Sequence, residues 1–141
     1  MTIEEAIETA LVTHTIALDI DGDPPVAYPN VPFPDGEPKP ATYIEVRHHR
    51  NTNTRLFVKG SAAHLRQGIW QLTVFTPLHV GQEPSTRLAG QIAEHFPADL
   101  ALFDDGIKLR VQAAPDVGDP AKADDDVSWS AIVSVRYEVL A

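Results

Sequence analysis

Apolar residues return every four positions at the start of the chain: Ile3, Ile7 and Leu11, with Ala6 and Ala10 beside them. That spacing lines one face of a helix. Thr2 followed by Glu5 makes a capping-box pair, so a helix is predicted from about Ile3 to about Ile16. From Thr42 the period becomes two, with Ile44, Val46 and His48 alternating with Tyr43, Glu45 and Arg47, which is the mark of a strand with two unlike faces. The polar run Asn51–Thr54 predicts a turn, and Leu56-Phe57-Val58 the returning strand of a hairpin. Behind Gly68, Trp70, Leu72 and Val74 alternate with Gln71, Thr73 and Phe75, a further strand. Leu88, Ile92 and Phe96, flanked by Ala89 and Ala93, predict a second helix that Pro84 opens and Pro97 closes. Ile107, Leu109 and Val111 form a half-buried strand. Trp129 leads into Ala131, Val133, Val135, Tyr137 and Val139, a strand too long and apolar to leave at an exposed edge. It is predicted to pair on both sides or with a neighbouring subunit.

Two stretches interrupt these patterns. Gly22 to Pro40 carries seven prolines, which remove too many N–H donors for a ladder or a helix. An extended loop is expected, pinned along the core by Val26, Tyr28, Val31 and Phe33, with a mobile linker as the alternative. Pro115 to Asp126 is acidic and poorly apolar, an exposed loop. The order is helix, long loop, three strands, helix, two strands. This is the α+β class: one domain over residues 1–141, a mainly antiparallel sheet of about five strands with two helices packed on it. A chain of 141 residues is long enough to bury one core unaided.

Charge adds an organisation that periodicity does not show. The net charge is −9, unsuited to a domain built to grip phosphates. Residues 1–45 hold nine acids and one Lys, residues 46–82 hold Arg47, Arg50, Arg55, Lys59 and Arg66 with no acid, and residues 83–141 hold eleven acids and five bases. Such blocks suit subunits that set a basic patch against a neighbour's acidic one, or they intermix on a solvated surface. Arg47, His49, Arg50, Arg55 and Phe57 are the candidate protein-interface residues, clustered on the predicted hairpin. Trp70, Trp129 and Tyr137 read as core in preference to interface anchors.

Candidate chemistry is thin. With no Cys there is no disulfide, thiolate nucleophile or Cys-based metal site. Adjacent His48 and His49 on a strand point to opposite faces and cannot share a metal. His14, His64, His79 and His95 show no i, i+4 pairing, and none of the serines sits in a nucleophile elbow. Asp19-Ile20-Asp21-Gly22-Asp23 resembles the nucleophile motif of magnesium-dependent haloacid-dehalogenase-like phosphatases, and Gly118-Asp119 with Asp124 and Asp125 imitates their late magnesium-binding element. Asp23 stands where that motif has Thr, prolines follow where a helix should start, and alternating strands and helices are missing. The chain is therefore expected not to be an enzyme and to need no cofactor or metal. No apolar run approaches the roughly 18 residues of a membrane span, and no basic leader opens the chain, so no membrane association and an intracellular, soluble protein are expected.

The ordered set Val26-Ala-Tyr-Pro-Asn-Val-Pro-Phe-Pro34, Tyr43-Ile-Glu-Val46, Gly68-Ile-Trp-Gln-Leu-Thr-Val74, Gly81, the helix Leu88 to Phe96, the strand Ile107 to Val111 and Trp129 resembles the tail terminator proteins of long-tailed bacteriophages, prophages and gene-transfer agents. The resemblance covers nearly the whole chain. It implies a structural virion protein: a homo-hexameric ring that caps the tail tube, ends tube polymerisation and joins the tail to a head-side connector or stopper protein. It further implies a place in the virion tail after assembly in the bacterial host cytoplasm, with DNA passing through the lumen without specific binding. On that reading the candidate basic residues face an acidic patch of a neighbour or the tube, and Asp124, Asp125 and Asp126 contribute to a DNA-repelling lumen. Another head-tail joining or minor tail protein of the same fold is the neighbouring reading, and the phosphatase the remaining one.

Overall fold

The computed structural model describes residues 1–33, 40–123 and 128–141. Helix α1 runs Ile3–Ile16, and the Thr2 hydroxyl accepts the Glu5 N–H at 3.2 Å, as the capping signal predicts. Helix α2 runs Glu83–His95 with Pro84 in its first turn. The strands are β1 (Val26–Ala27), β2 (Tyr43–Arg50), β3 (Thr54–Arg55), β4 (His64–Pro77), β5 (Ala101–Asp104), β6 (Ile107–Val111), β7 (Asp116–Val117), β8 (Ala121–Lys122) and β9 (Ser128–Leu140). They form one sheet in the order β1-β2-β4-β9-β6-β5, with β3 on β4 and with β7 and β8 on β9. Among the described residues every pairing is antiparallel except β1 with β2. The class is α+β, as expected.

Both helices lie over one face of the sheet. That face presents Ile44 and Val46 of β2, Trp70, Leu72 and Val74 of β4, Leu109 and Val111 of β6, and the alternate residues Ala131 to Val139 of β9, all buried. Ile7 and Leu11 of α1 and Leu88, Ile92 and the following Phe96 of α2 close over them. Each such aliphatic side chain contributes about 1.5–3 kcal/mol on burial, which is why period-two and period-four patterns specify the same core. Strand β9 pairs with β4 along its whole length on one side and with β6, β7 and β8 on the other, so the predicted two-sided pairing holds within the chain.

Four expectations are corrected. The proline-rich stretch does contribute a strand: Val26 and Ala27 pair with Ile44 and Glu45, and the Pro25 carbonyl accepts the Ile44 N–H at 2.9 Å. A proline lacks the donor but keeps its acceptor, and at a sheet edge that is enough. Leu56-Phe57-Val58 is not a strand; β2 pairs instead with β4, which starts at His64, and residues 51–63 leave the sheet as an arm on which only Thr54–Arg55 pairs. The acidic loop carries β7 and β8 against β9, although Asp124, Asp125 and Asp126 lie outside the described residues. The last correction is an unforeseen hairpin, β5 to β6. Its two-residue turn Asp105-Gly106 has φ of 42° and 81°, the left-handed pair that an Asp-Gly hairpin turn requires.

Candidate interaction surfaces

The pleat of β2 divides the predicted interface residues between its faces. Arg47 and His49 point away from the helices and are exposed, while His48 points inward with only 4% of its side chain exposed. The inward histidine is held at both ring nitrogens: Nδ1 lies 2.5 Å from Glu8 Oε2 of α1 and Nε2 2.5 Å from the Tyr137 hydroxyl of β9. Nδ1–H donating to the carboxylate and the Tyr137 O–H donating to Nε2 is the neutral tautomer that satisfies both. Burial lowers the His48 pKa below 6.5, opposed by its bond to Glu8, and burial also pushes the Tyr137 phenol up to about 12. The cluster ties α1 to the sheet.

The basic residues are spread over three places. Arg47 pairs with Glu45 at 2.8 Å. Arg50 sits on the helix side and bonds Glu4 at 3.3 Å and Glu8 at 3.0 Å, and Arg66 bonds Glu4 at 2.7 Å. The cations of the basic block thus meet the acids of the N-terminal block within one chain, an intermixing that sequence order conceals. Arg55 points its guanidinium at the Phe57 and Val58 carbonyls and so braces the bend of the arm. Bracing turns three consecutive apolar side chains outward: Leu56 is 48%, Phe57 52% and Val58 95% exposed. Lys59 follows directly.

A groove lies at the other end of α1. Ile16, Leu18, Ile20, Val26 and Tyr28 line a cleft of ≈ 400 Å³ where the helix gives way to the proline-rich stretch. Ile16 is 69% exposed. Around it stand exposed Asp19, Asp21 and Asp23; Asp21 engages Arg87 at 3.3 Å and Gln91 through its N–H. Asp19 to Asp23 therefore follows a helix and not a strand, so these carboxylates lack the strand-end setting of a phosphatase nucleophile. Among the described residues no three His, Asp or Glu side chains gather as a metal site needs, and no helix is long and apolar enough to cross a membrane. A second cleft, ≈ 490 Å³, separates Tyr28, Val31 and Phe33 from Arg47 and His49. The features that stand out are apolar and charged surfaces.

A family model for the phage tail terminator protein matches residues 2–137. The chain belongs to the phage tail terminator family. Among the described residues the match takes in both helices and every strand up to most of β9. No curated protein sequence matches the chain significantly. A solved structure with 21% sequence identity superposes with a TM-score of 0.78, covering 99% of this chain and 96% of the other; at that identity the likeness speaks to the fold alone. Membership of the terminator family points to a structural part of a phage tail. Of the surface features, sequence reasoning singled out Arg55 and Phe57 but placed Leu56 and Val58 in the sheet. The signal against a strand was present: three apolar residues in a row, closed on both sides by cations, do not alternate.

Proposed function

We propose that this terminator chain assembles with five further copies into a ring that caps the finished tail tube, stops addition of tube subunits and presents its other side to the head-side connector or stopper protein. Assembly takes place in the bacterial host cytoplasm, and DNA passes through the lumen without specific contacts. The observation that carries the reading is the family match over 2–137. It is supported by exposed apolar residues gathered at one arm, since side chains such as Val58 and Phe57 lower the free energy when a partner covers them. Arg47, His49, Arg50, Arg55 and Phe57 are the proposed contact residues, and the acidic 124–126 segment a proposed lumen element.

Native mass and negative-stain imaging across a concentration series test the ring: six copies with a central hole are expected. Adding the purified protein to polymerising tube subunits tests the cap. Tubes should stop at the length they had on addition, and tubes that grow on unaffected would sink the reading.

A further inference from the structure

The arm and the groove are complementary in both apolarity and charge. The arm reads Arg55-Leu56-Phe57-Val58-Lys59, an exposed apolar triad between two cations. The groove is lined by Ile16, Leu18, Tyr28 and exposed Asp23, and exposed Asp19 stands in the chain between its lining residues Leu18 and Ile20. Neither Lys59 of the arm nor Asp19 or Asp23 of the groove forms an ion pair among those found within the described residues.

The two features cannot meet within one chain. The arm leaves the sheet where Arg55 pairs with His64, beside Arg66, which bonds Glu4 in the first turn of α1. The groove lies past Thr15 at the opposite end of that helix, and 14 helical residues span about 21 Å. Strand β4 separates them in the same sense, because its far end, Thr76–Pro77, lies by Pro24 and Pro25 at the margin of the groove.

We propose that the arm of one copy seats in the groove of the next copy, Phe57 and Val58 against Ile16, Leu18 and Tyr28, with Arg55 and Lys59 facing Asp19 and Asp23. This deepens the ring reading and rests on it. Two different patches at opposite ends of a molecule make a head-to-tail contact, which closes into a ring when the rotation per copy allows. The contact also accounts for the acidic Asp19–Asp23 motif, which no catalytic role absorbs.

The absence of Cys permits a direct test on the full chain. Val58→Cys and Ile16→Cys are placed together in one chain and treated with a short bis-maleimide. Both positions are exposed, so the melting temperature should stay at that of the parent. A ladder of covalent oligomers up to the ring size is expected, and neither single variant should give one. In parallel, Lys59→Glu, which leaves the Arg55 brace of the arm intact, and Asp19→Lys/Asp23→Asn should each weaken self-association at least ~10-fold. Mixing the two should restore it, because each intact arm then finds an intact groove and each reversed arm a reversed groove. A ring that forms without the cross-link, or that ignores both sets of charge changes, overturns this contact while leaving the ring reading standing. A chain that stays monomeric at all concentrations overturns both.

Discussion

His14 and His95 each give an Nε2–H to the other's backbone carbonyl, at 2.6 and 2.7 Å, with the two rings stacked 4.0 Å apart. The carbonyls belong to the last turns of α1 and α2, where helices leave acceptors unpaired. Each helix end is therefore capped by the imidazole of the other, and the pair fixes where the two helices cross over the sheet. Phe96 packs edge-on against both rings. The two histidines are 81 positions apart, and no spacing rule relates them.

This arrangement makes stability depend on pH. Burial lowers the His14 pKa below 6.5, opposed by its bond to the His95 carbonyl and with a smaller lowering from the His95 ring, and burial lowers that of His48. The unfolded chain takes up these protons near 6.5, while the folded chain resists them until lower pH. The contribution is thus complete above pH 6.5 and is lost as pH falls through the folded values. Calorimetry from pH 7.5 to 5.0 should show a falling Tm, and the fall should be shallower in a His14→Gln/His48→Gln variant.

Gly68 is required by a close approach. A Cβ there would overlap the Tyr137 hydroxyl and lie 2.8 Å from the His49 carbonyl oxygen. Because Tyr137 is held by His48 it cannot swing aside without breaking that bond. Gly68→Ala should cost about 1–3 kcal/mol, read from the denaturant midpoint. In a Tyr137→Phe background the penalty of the same change should be smaller but not abolished, since the hydroxyl is gone while the ring Cζ at 2.7 Å and the His49 carbonyl oxygen at 2.8 Å remain.

Thr15 satisfies the buried indole of Trp70. Its hydroxyl accepts the Trp70 Nε1–H at 2.9 Å and donates to the Leu11 carbonyl at 2.7 Å. Thr15→Val keeps the shape and strands the indole N–H in the core, so a loss of about 1–3 kcal/mol is expected. Thr13→Val, at an exposed position of the same helix, should change the unfolding free energy by less than about 0.5 kcal/mol.

Tyr137→Phe leaves His48 Nε2 without its donor while Glu8 still holds Nδ1. We expect a loss of about 1 kcal/mol and an unchanged oligomeric state, measured together by urea titration and native mass. A change in assembly without a change in stability would assign Tyr137 to an interface instead.

Local pattern by itself determined both helices, the strands at β2, β4, β6 and β9, and the inward set Trp70, Leu72, Val74 and Ala131 to Val139, because helix and strand periodicity are properties of neighbouring residues and a buried face must be apolar. It also separated His48 from His49, since a strand turns successive side chains to opposite faces. The Asp-Gly turn between β5 and β6 was legible in principle, though its flanking strands are short. Tertiary structure alone decided that Leu56-Phe57-Val58 leaves the sheet. Strand β4 extends back to His64 and takes both β2 and β3 as partners, and β9 fills its other side, so β4 had no side left for a further strand. It likewise decided which charges meet: Arg50 with Glu8, Arg66 with Glu4 and His14 with His95 are pairs made by the crossing of elements distant in the chain. An apolar triad thereby became surface, and a basic block was largely neutralised at home, for reasons that depend on which strands had already paired.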